Sequence, residues 1–353
     1  MTVLVGMSGG VDSTAAAFLL KKGGCSVTGV TMEVAKPGAA GCGDSCYGPE
    51  NIAEIKRIAA ALGVEHHALD LSAEYAGAVL DYFRDEYLHG RTPNPCVMCN
   101  RKIKFGALLD RAAASGLSFE RFATGHYARL ERGPGGELLL KKGLDALKDQ
   151  TYFLWNIARE RLERVLFPLG GLNKKQVREL VSDAGFPDLA KKAESQDFAP
   201  PEAIQEILGP HGKPGDIVDA SGAVLGHHGG IAGYTVGQRK GLGIGGLAKP
   251  LFVTALGAEN NTVTVGPKDQ LMKNSMRVGA LNWISIAPPS AGFGAEVKIR
   301  RQHEPVSAAL RMESADCCVV EFAEKQFAPT PGQSAVFYDG ELLLGGGIID
   351  SAA

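Results

Sequence analysis

The opening of the chain constrains its fold most. Val3-Leu4-Val5-Gly6-Met7 is a short apolar run, Ser8-Gly9-Gly10-Val11-Asp12-Ser13 follows it, and Ala15-Ala16-Ala17-Phe18-Leu19-Leu20 is a strong helix former. A strand that passes through two glycines into a helix lets backbone N–H groups close on an anion at the helix's positive end. Ser8 and Ser13 add hydroxyl donors, and the Asp12 carboxylate is a hard oxygen ligand suited to magnesium beside phosphates. No Gly-Lys-Ser/Thr follows, so this is not a Walker loop. The plain alternative is a strand-to-helix turn with a serine cap.

The alternation continues to about residue 190. Val27–Val34 and Glu65–Leu71 read as strands, Asn51–Leu62 and Ser72–Leu88 as helices, and a further strand ends at Ala123-Thr124. Strands separated by helices predict an α/β domain, with a parallel sheet covered by helices on both faces. Beyond residue 200, Pro200-Pro201, Gly209-Pro210 and Pro214-Gly215 punctuate the chain, and short β-like pieces replace the helices. From Met276 onward, alternating strands and a hairpin at Asp339-Gly340 predict a C-terminal antiparallel β-barrel or sandwich. The expected division is residues 1–200 for the catalytic α/β domain, 201–272 for a small central domain and 273–353 for the barrel. A chain of 353 residues fits two or three such units.

Hydrophobic residues make up 45% of the chain and charged residues 22%, which excludes a disordered protein. No apolar run approaches the roughly 18–20 residues of a membrane span. The first residues show no basic leader, so the expectation is a cytoplasmic protein with no membrane partner. The net charge of −2 gives no global attraction to polyanions, although a local basic face is enough to hold RNA. Lys141-Lys142, Lys174-Lys175, Lys191-Lys192 and Arg300-Arg301 are the basic pairs available for one.

Seven cysteines, an odd number, argue against a disulfide framework. Cys96-Val97-Met98-Cys99 reads as a C-x-x-C on a loop before a helix that begins at Arg101. Arg101, Lys102 and Lys104 nearby lead us to expect lowered thiol pKa values. With Cys42 and Cys46 from the glycine-rich stretch after the second strand, the pair suggests either a four-thiolate zinc site or an iron–sulfur site. Cys96 and Cys99 acting as a dithiol pair is the third possibility. Cys25 and Cys317-Cys318 read as packing residues. Gly241-x-Gly243-x-x-Gly246 fits a dinucleotide fingerprint as a string, but it follows Gln238-Arg239-Lys240 and not a strand, so it reads as a glycine loop. His66-His67 and His227-His228 read as surface or loop residues. His126 suits either a place near the nucleotide or a structural hydrogen bond.

The loop Ser8–Ser13 resembles the pyrophosphate loop of the PP-loop ATP pyrophosphatases. Gly90-Arg91-Thr92-Pro93-Asn94-Pro95 with Cys99-Asn100, Ile103-Lys104-Phe105, Ala123–Arg129, Lys148-Asp149-Gln150, Pro214–Val218, Tyr234–Arg239, Gly241–Gly245 and Val336–Gly340 resemble the tRNA-specific 2-thiouridylases in order and spacing. The resemblance spans nearly the whole chain. It implies ATP-dependent 2-thiolation of the tRNA wobble uridine through an adenylated C2 oxygen, with ATP and Mg²⁺ as cofactors. It further implies that Gly6, Met7, Ser8, Gly9, Gly10, Val11, Asp12 and Ser13 hold the pyrophosphate end, and Met32 and Gly125 the adenosine. Asn94, Pro95 and Cys96 then meet the target base, while Lys148, Asp149, Gln150, Arg301 and Gln302 contact tRNA. The partners are tRNA, ATP and a sulfur donor protein or sulfide.

The chain departs from this pattern in one segment. Where these enzymes commonly carry a second, persulfide-bearing cysteine, Ala193-Glu194-Ser195-Gln196-Asp197-Phe198-Ala199-Pro200 has none. The expected catalytic set is therefore Cys99, Cys96 and Asp12. A 4Fe–4S cluster on Cys46, Cys96 and Cys99, with Cys42 competing for the third place, is the expected substitute for the missing thiol.

Overall fold

The computed structural model describes residues 1–34, 49–193, 201–208, 213–245 and 249–353. Its N-terminal sheet is parallel, with strands β1 (Thr2–Gly6), β2 (Ser26–Glu33), β3 (Glu65–Asp70), β4 (Arg121–Ala123) and, later in the chain, β7 (Val165–Leu166). Their order is β3-β2-β1-β4-β7. β1 lies between β2 and β4 and is parallel to both. Its side chains alternate in direction and both faces are buried: Val3 and Val5 pack with Ile55, Ile58 and Ala59, whereas Leu4 joins the core on the opposite face. Helix α1 (Val11–Lys22) begins at the N-cap Gly10, and α2 (Pro49–Ala61) follows β2. The expected parallel sheet with helices on both faces is present.

The helix expected from Arg101 starts six residues earlier. Pro95 occupies its first turn, where a missing N–H is harmless, and the Asn94 side chain accepts from the Val97 N–H at 3.4 Å. The C-x-x-C therefore lies on a helix and not on a preceding loop. From Cys99 to Ala107 the helix is π-type, interrupted at Gly106 (φ −116°, ψ −105°).

Strands β8 (Gly215–Val218), β9 (Val224–His228), β10 (Phe252–Gly257) and β11 (Thr262–Gly266) form a separate four-stranded sheet, ordered β10-β11-β8-β9. The last six strands are β12 (Met272–Trp283), β13 (Phe293–Lys298), β14 (Val306–Ser314), β15 (Cys317–Phe327), β16 (Ser334–Asp339) and β17 (Leu342–Ala352). They run β12-β15-β14-β13-β16-β17, and β17 pairs back onto β12, so the barrel is closed and antiparallel. Closure covers the edge of β17 from Gly345 to Ala352 and leaves the start of the strand to pair elsewhere.

A hairpin from the N-terminal part, β5 (Ala128–Arg132) and β6 (Leu138–Lys142), extends the barrel sheet. Leu342 and Leu343 of β17 pair with Lys141 and Leu140. One core cluster consequently holds Leu4, Ile103, Leu140 and Trp155 together with Val336, Tyr338 and Leu343 of the barrel. Asn282 Nδ2 donates to the carbonyls of Trp155 and Ile157 at 2.6 and 3.1 Å, and a Cβ on Gly346 would stand 2.8 Å from the Trp155 ring. Trp155 is completely buried. Replacing it with alanine is expected to lower stability by about 3–5 kcal/mol. The parallel sheet and the barrel are expected to unfold together, which coincident urea transitions followed by two spectroscopic probes would check.

Candidate active site

The C-terminal ends of β1, β2 and β4 open onto one cavity. Met7, Ser8, Asp12 and Ser13 line one side, Met32 comes from β2, and Thr124, Gly125 and His126 come from the turn after β4. In open parallel sheets ligands bind at this end. The loop is braced from within: the Ser8 N–H donates to Ser13 Oγ at 3.0 Å, and the two hydroxyls lie 3.1 Å apart. Thr14 Oγ1 donates to the Gly10 carbonyl at 2.9 Å. Gly9 has φ +72°, a conformation that favours glycine. A Cβ on Gly125 would lie 2.7 Å from the Asp12 carbonyl carbon and 2.8 Å from the Ser13 nitrogen, so only glycine allows this turn to lie against the loop.

Asp12 is held by two groups that come from distant parts of the chain. Tyr127 Oη donates to its Oδ1 at 2.9 Å and Lys174 Nζ approaches the same oxygen at 2.7 Å. Lys174 sits in the first turn of helix Lys174–Asp183, which is fixed by a reciprocal cap between Asn173 and Gln176. Among the described residues both of these contacts end on Oδ1, so Oδ2 is the oxygen suited to a magnesium ion shared with nucleotide phosphates. Neither Tyr127 nor Lys174 stood out as a site residue in the sequence. The capping pair Asn173 and Gln176 was the local signal for where that helix begins.

The helix carrying Cys96 and Cys99 is clamped from the barrel. The Thr92 N–H donates to the Pro331 carbonyl at 2.8 Å, and Gln333 Nε2 donates to the carbonyls of Thr92 and Pro93 at 3.1 and 3.0 Å. Asn100 Nδ2 donates to the Phe153 carbonyl, and Arg101 Nη1 to Asn156 Oδ1. The expected lowering of the thiol pKa values is reversed. Burial pushes both thiols up, Cys99 to about 11, and the nearby Lys104 offsets this only in part. The cations are present as the sequence suggested, Lys104 near both thiols and the barrel's Arg301 near Cys96, but desolvation of the thiolates outweighs them.

Two of the expected cluster ligands, Cys96 and Cys99, are thus adjacent on one buried turn. Cys42 and Cys46 lie outside the described residues, as does the cysteine-free segment 194–200. Among the described residues no group of three or more His, Cys, Asp or Glu side chains is arranged to hold a metal. Cys317 and Cys318 pack in the barrel wall, as expected.

Arg301 and Gln302 are exposed on a turn of the barrel, whereas Asp149 and Gln150 are half-buried. Asp149 Oδ1 accepts from the Gly143 N–H at 3.1 Å and from Thr151. Gln150 Oε1 accepts from the Tyr127 N–H at 3.0 Å, and its side chain borders the nucleotide cavity. Lys148 lies on the same loop, partly exposed.

His126 takes both of the places foreseen for it, since it lines the cavity and bonds to Thr124 Oγ1 at 2.7 Å. Burial, with Lys104 adding to it, pushes its pKa down to about 3. His66 and His228, expected at the surface or in loops, lie on β3 and β9. His228 is buried, and His66 is half-buried beside Thr31 Oγ1 at 2.8 Å and pushed down to about 4, again chiefly by burial.

A sheet whose central strand feeds a glycine-rich loop, a helix N-terminus and an anchored carboxylate defines an α/β nucleotide-binding protein of the PP-loop type. The chain matches the family descriptions "tRNA methyl transferase HUP domain" over residues 1–199, "tRNA methyl transferase PRC-barrel domain" over 202–267 and "Aminomethyltransferase beta-barrel domain" over 273–349. It is 45% identical over 99% of its length to the tRNA-specific 2-thiouridylase of Endomicrobium trichonymphae, covering 99% of that protein. It is 43% identical over 99% of its length to that of Geotalea uraniireducens, covering 95%. The chain belongs to the tRNA-specific 2-thiouridylase family.

His126 and His66, with their pKa values held down, are neutral in the fold and take up a proton when the chain unfolds below their ordinary value of about 6.5. The unfolded state then binds more protons, so stability falls as pH drops from about 6.5 toward 4. Denaturation midpoints measured across that range should decline. A His126→Gln, His66→Gln double variant that folds should decline less.

Proposed function

We propose that this protein is an ATP-dependent tRNA 2-sulfurtransferase acting on the wobble uridine. The observation that carries the reading is that the glycine-loop cavity and the Cys96–Cys99 turn adjoin through one side chain, Lys104, which borders the cavity and acts electrostatically on both thiols. Activation and sulfur delivery can therefore occur within one site. The family membership supports the same reading. Among the described residues no helix is long and apolar enough to cross a membrane.

The uracil C2 oxygen is a poor leaving group. In the first step it attacks the α-phosphorus of ATP. The new O–P bond forms as the bond to the β-phosphate oxygen breaks, its electron pair leaves on pyrophosphate, and the N3 proton passes to solvent. A sulfide-level sulfur then adds at C2, and the C–O bond breaks with its electrons on AMP. Gly6 to Ser13 hold the pyrophosphate end, and Met32 and Gly125 border the adenosine. Asp12 Oδ2 is the proposed ligand of a magnesium ion, whose charge would neutralise the departing phosphates. Asn94, Pro95 and Cys96 meet the base, and Lys148, Asp149, Gln150, Arg301 and Gln302 lie along the tRNA path. Asp149 and Gln150 act there by shaping the loop that carries Lys148. Residues 1–200, 201–272 and 273–353 are the catalytic, central and barrel domains of this reading.

The family descriptions use the words methyl transferase, and a methyl transfer releases no pyrophosphate from ATP. Pyrophosphate release that depends on added tRNA is expected for the parent protein. Asp12→Ala should fold and bind tRNA but lose at least 100-fold in that release, because metal charge stabilisation is worth several kcal/mol. Release by the variant near the parent rate would overturn the role of Asp12, and the absence of release from the parent would overturn thiolation.

The sulfur chemistry is proposed to use Cys96 and Cys99 with Cys46 as ligands of a 4Fe–4S cluster, Cys42 being the competing third ligand. Three thiolates leave one iron open, and an open position is what chemistry requires of a metal centre. Protein purified without oxygen should contain iron and acid-labile sulfide. Its visible absorption should vanish in Cys96→Ser or Cys99→Ser. A colourless, iron-free protein that still thiolates tRNA would leave the dithiol pair, and zinc in place of iron would leave a structural site.

A further inference from the structure

The expected nucleotide loop carries no lysine, and the cation that faces the cavity comes from elsewhere. In an α-helix, at 3.6 residues per turn, a residue five positions on is rotated by about 140° from the first. The π-helix Cys99–Ala107 closes its hydrogen bonds from i to i+5, so residues five apart return toward the same side. Cys99 and Lys104 are five apart. The π-turn thereby swings Lys104 onto the side of the thiol, where it also lines the cavity together with Ser8, Asp12 and Ser13. Its neighbours hold it there. Phe105 is fully buried against Phe122, His126 and Phe167, while Asn100 and Arg101 are tied to residues 153 and 156. Lys102, two residues earlier, is exposed.

We propose that Lys104 is a phosphate-contacting residue of the adenylation step, placed by the π-turn against the α-phosphoryl group where the nucleotide cavity meets the cysteine pair. The assignment rests on the reading of the cavity as an ATP site. As the uracil oxygen bonds to the α-phosphorus and pyrophosphate departs, negative charge on the non-bridging oxygens has to be met by fixed donors, and such donors are strongest in a site largely closed to water. Lys174, another cation near the loop, lies against Asp12 Oδ1. Lys104 and His126 line the same cavity, and the Lys104 charge adds to the burial that holds the His126 pKa down.

The test separates this contact from the overall reaction. Binding of AMP and of adenosine to the full-length protein would be measured by calorimetry for the parent, Lys104→Met and Lys104→Arg. Lys104→Met is expected to weaken AMP at least tenfold while leaving adenosine within twofold, and Lys104→Arg to restore most of the AMP affinity. In tRNA-dependent pyrophosphate release, Lys104→Met is expected to lower kcat about 100-fold, with tRNA affinity and thermal midpoint unchanged. An AMP-to-adenosine affinity ratio equal to the parent's would overturn the assignment whatever the turnover shows. Loss of adenosine binding together with AMP, or of the thermal midpoint, would also overturn it and leave Lys104 a structural residue. If the parent releases no pyrophosphate but the ratio shifts, the thiolation reading fails and the phosphate contact stands.

Discussion

Gly125 lies so close to the peptide between Asp12 and Ser13 that any side chain on it would press into backbone. Much of the site follows from that approach. It brings the turn after β4 onto the glycine loop, sets Thr124 and His126 beside the cavity, and lets Tyr127 reach Asp12. Because the neighbouring atoms are backbone, a side-chain shift could not relieve a larger residue there. The cavity wall is fixed by main-chain geometry on both sides, which is the preorganisation a phosphate site requires.

The second constraint comes from the other end of the chain. The loop from Arg91 to Asn94 has little regular structure of its own, and its carbonyls and amide are held by Pro331 and Gln333 of the barrel. The barrel therefore helps orient the helix that carries Cys96 and Cys99, and its Arg301 adds a positive charge near Cys96. Burial of that helix raises the thiol pKa values, which disfavours the thiolates. A positive charge brought close to them would offset that penalty.

Much of this was legible in the residues. The strand–glycine–helix opening, the α/β alternation and the closing hairpin at Asp339-Gly340 follow from local patterns that tertiary packing does not override. The thiol acidity was misread because a sequence displays neighbouring cations but not burial, and burial decides at Cys99. The start of the cysteine helix was misplaced because Pro95 was taken as a loop residue, although proline is favoured in a first helical turn when a cap such as Asn94 precedes it. Lys174 could not be found from spacing, since it lies 162 residues from the carboxylate it touches. The π-turn was equally hidden: nothing in Cys99–Ala107 distinguishes five-residue from four-residue hydrogen bonding in the sequence.

The pairing of β6 with β17 has a consequence for how such a chain can vary through descent. A barrel joined to the rest by a linker could be exchanged at a single crossover point. Here two residues of the barrel's last strand are zipped to a hairpin encoded some two hundred positions earlier, and Leu343 shares one core with Leu140 and Trp155. A foreign barrel would have to bring its own version of residues 128–142, or leave a strand edge open. The two distant segments are thus tied to one another as a single heritable unit, and change in either is expected to be answered in the other.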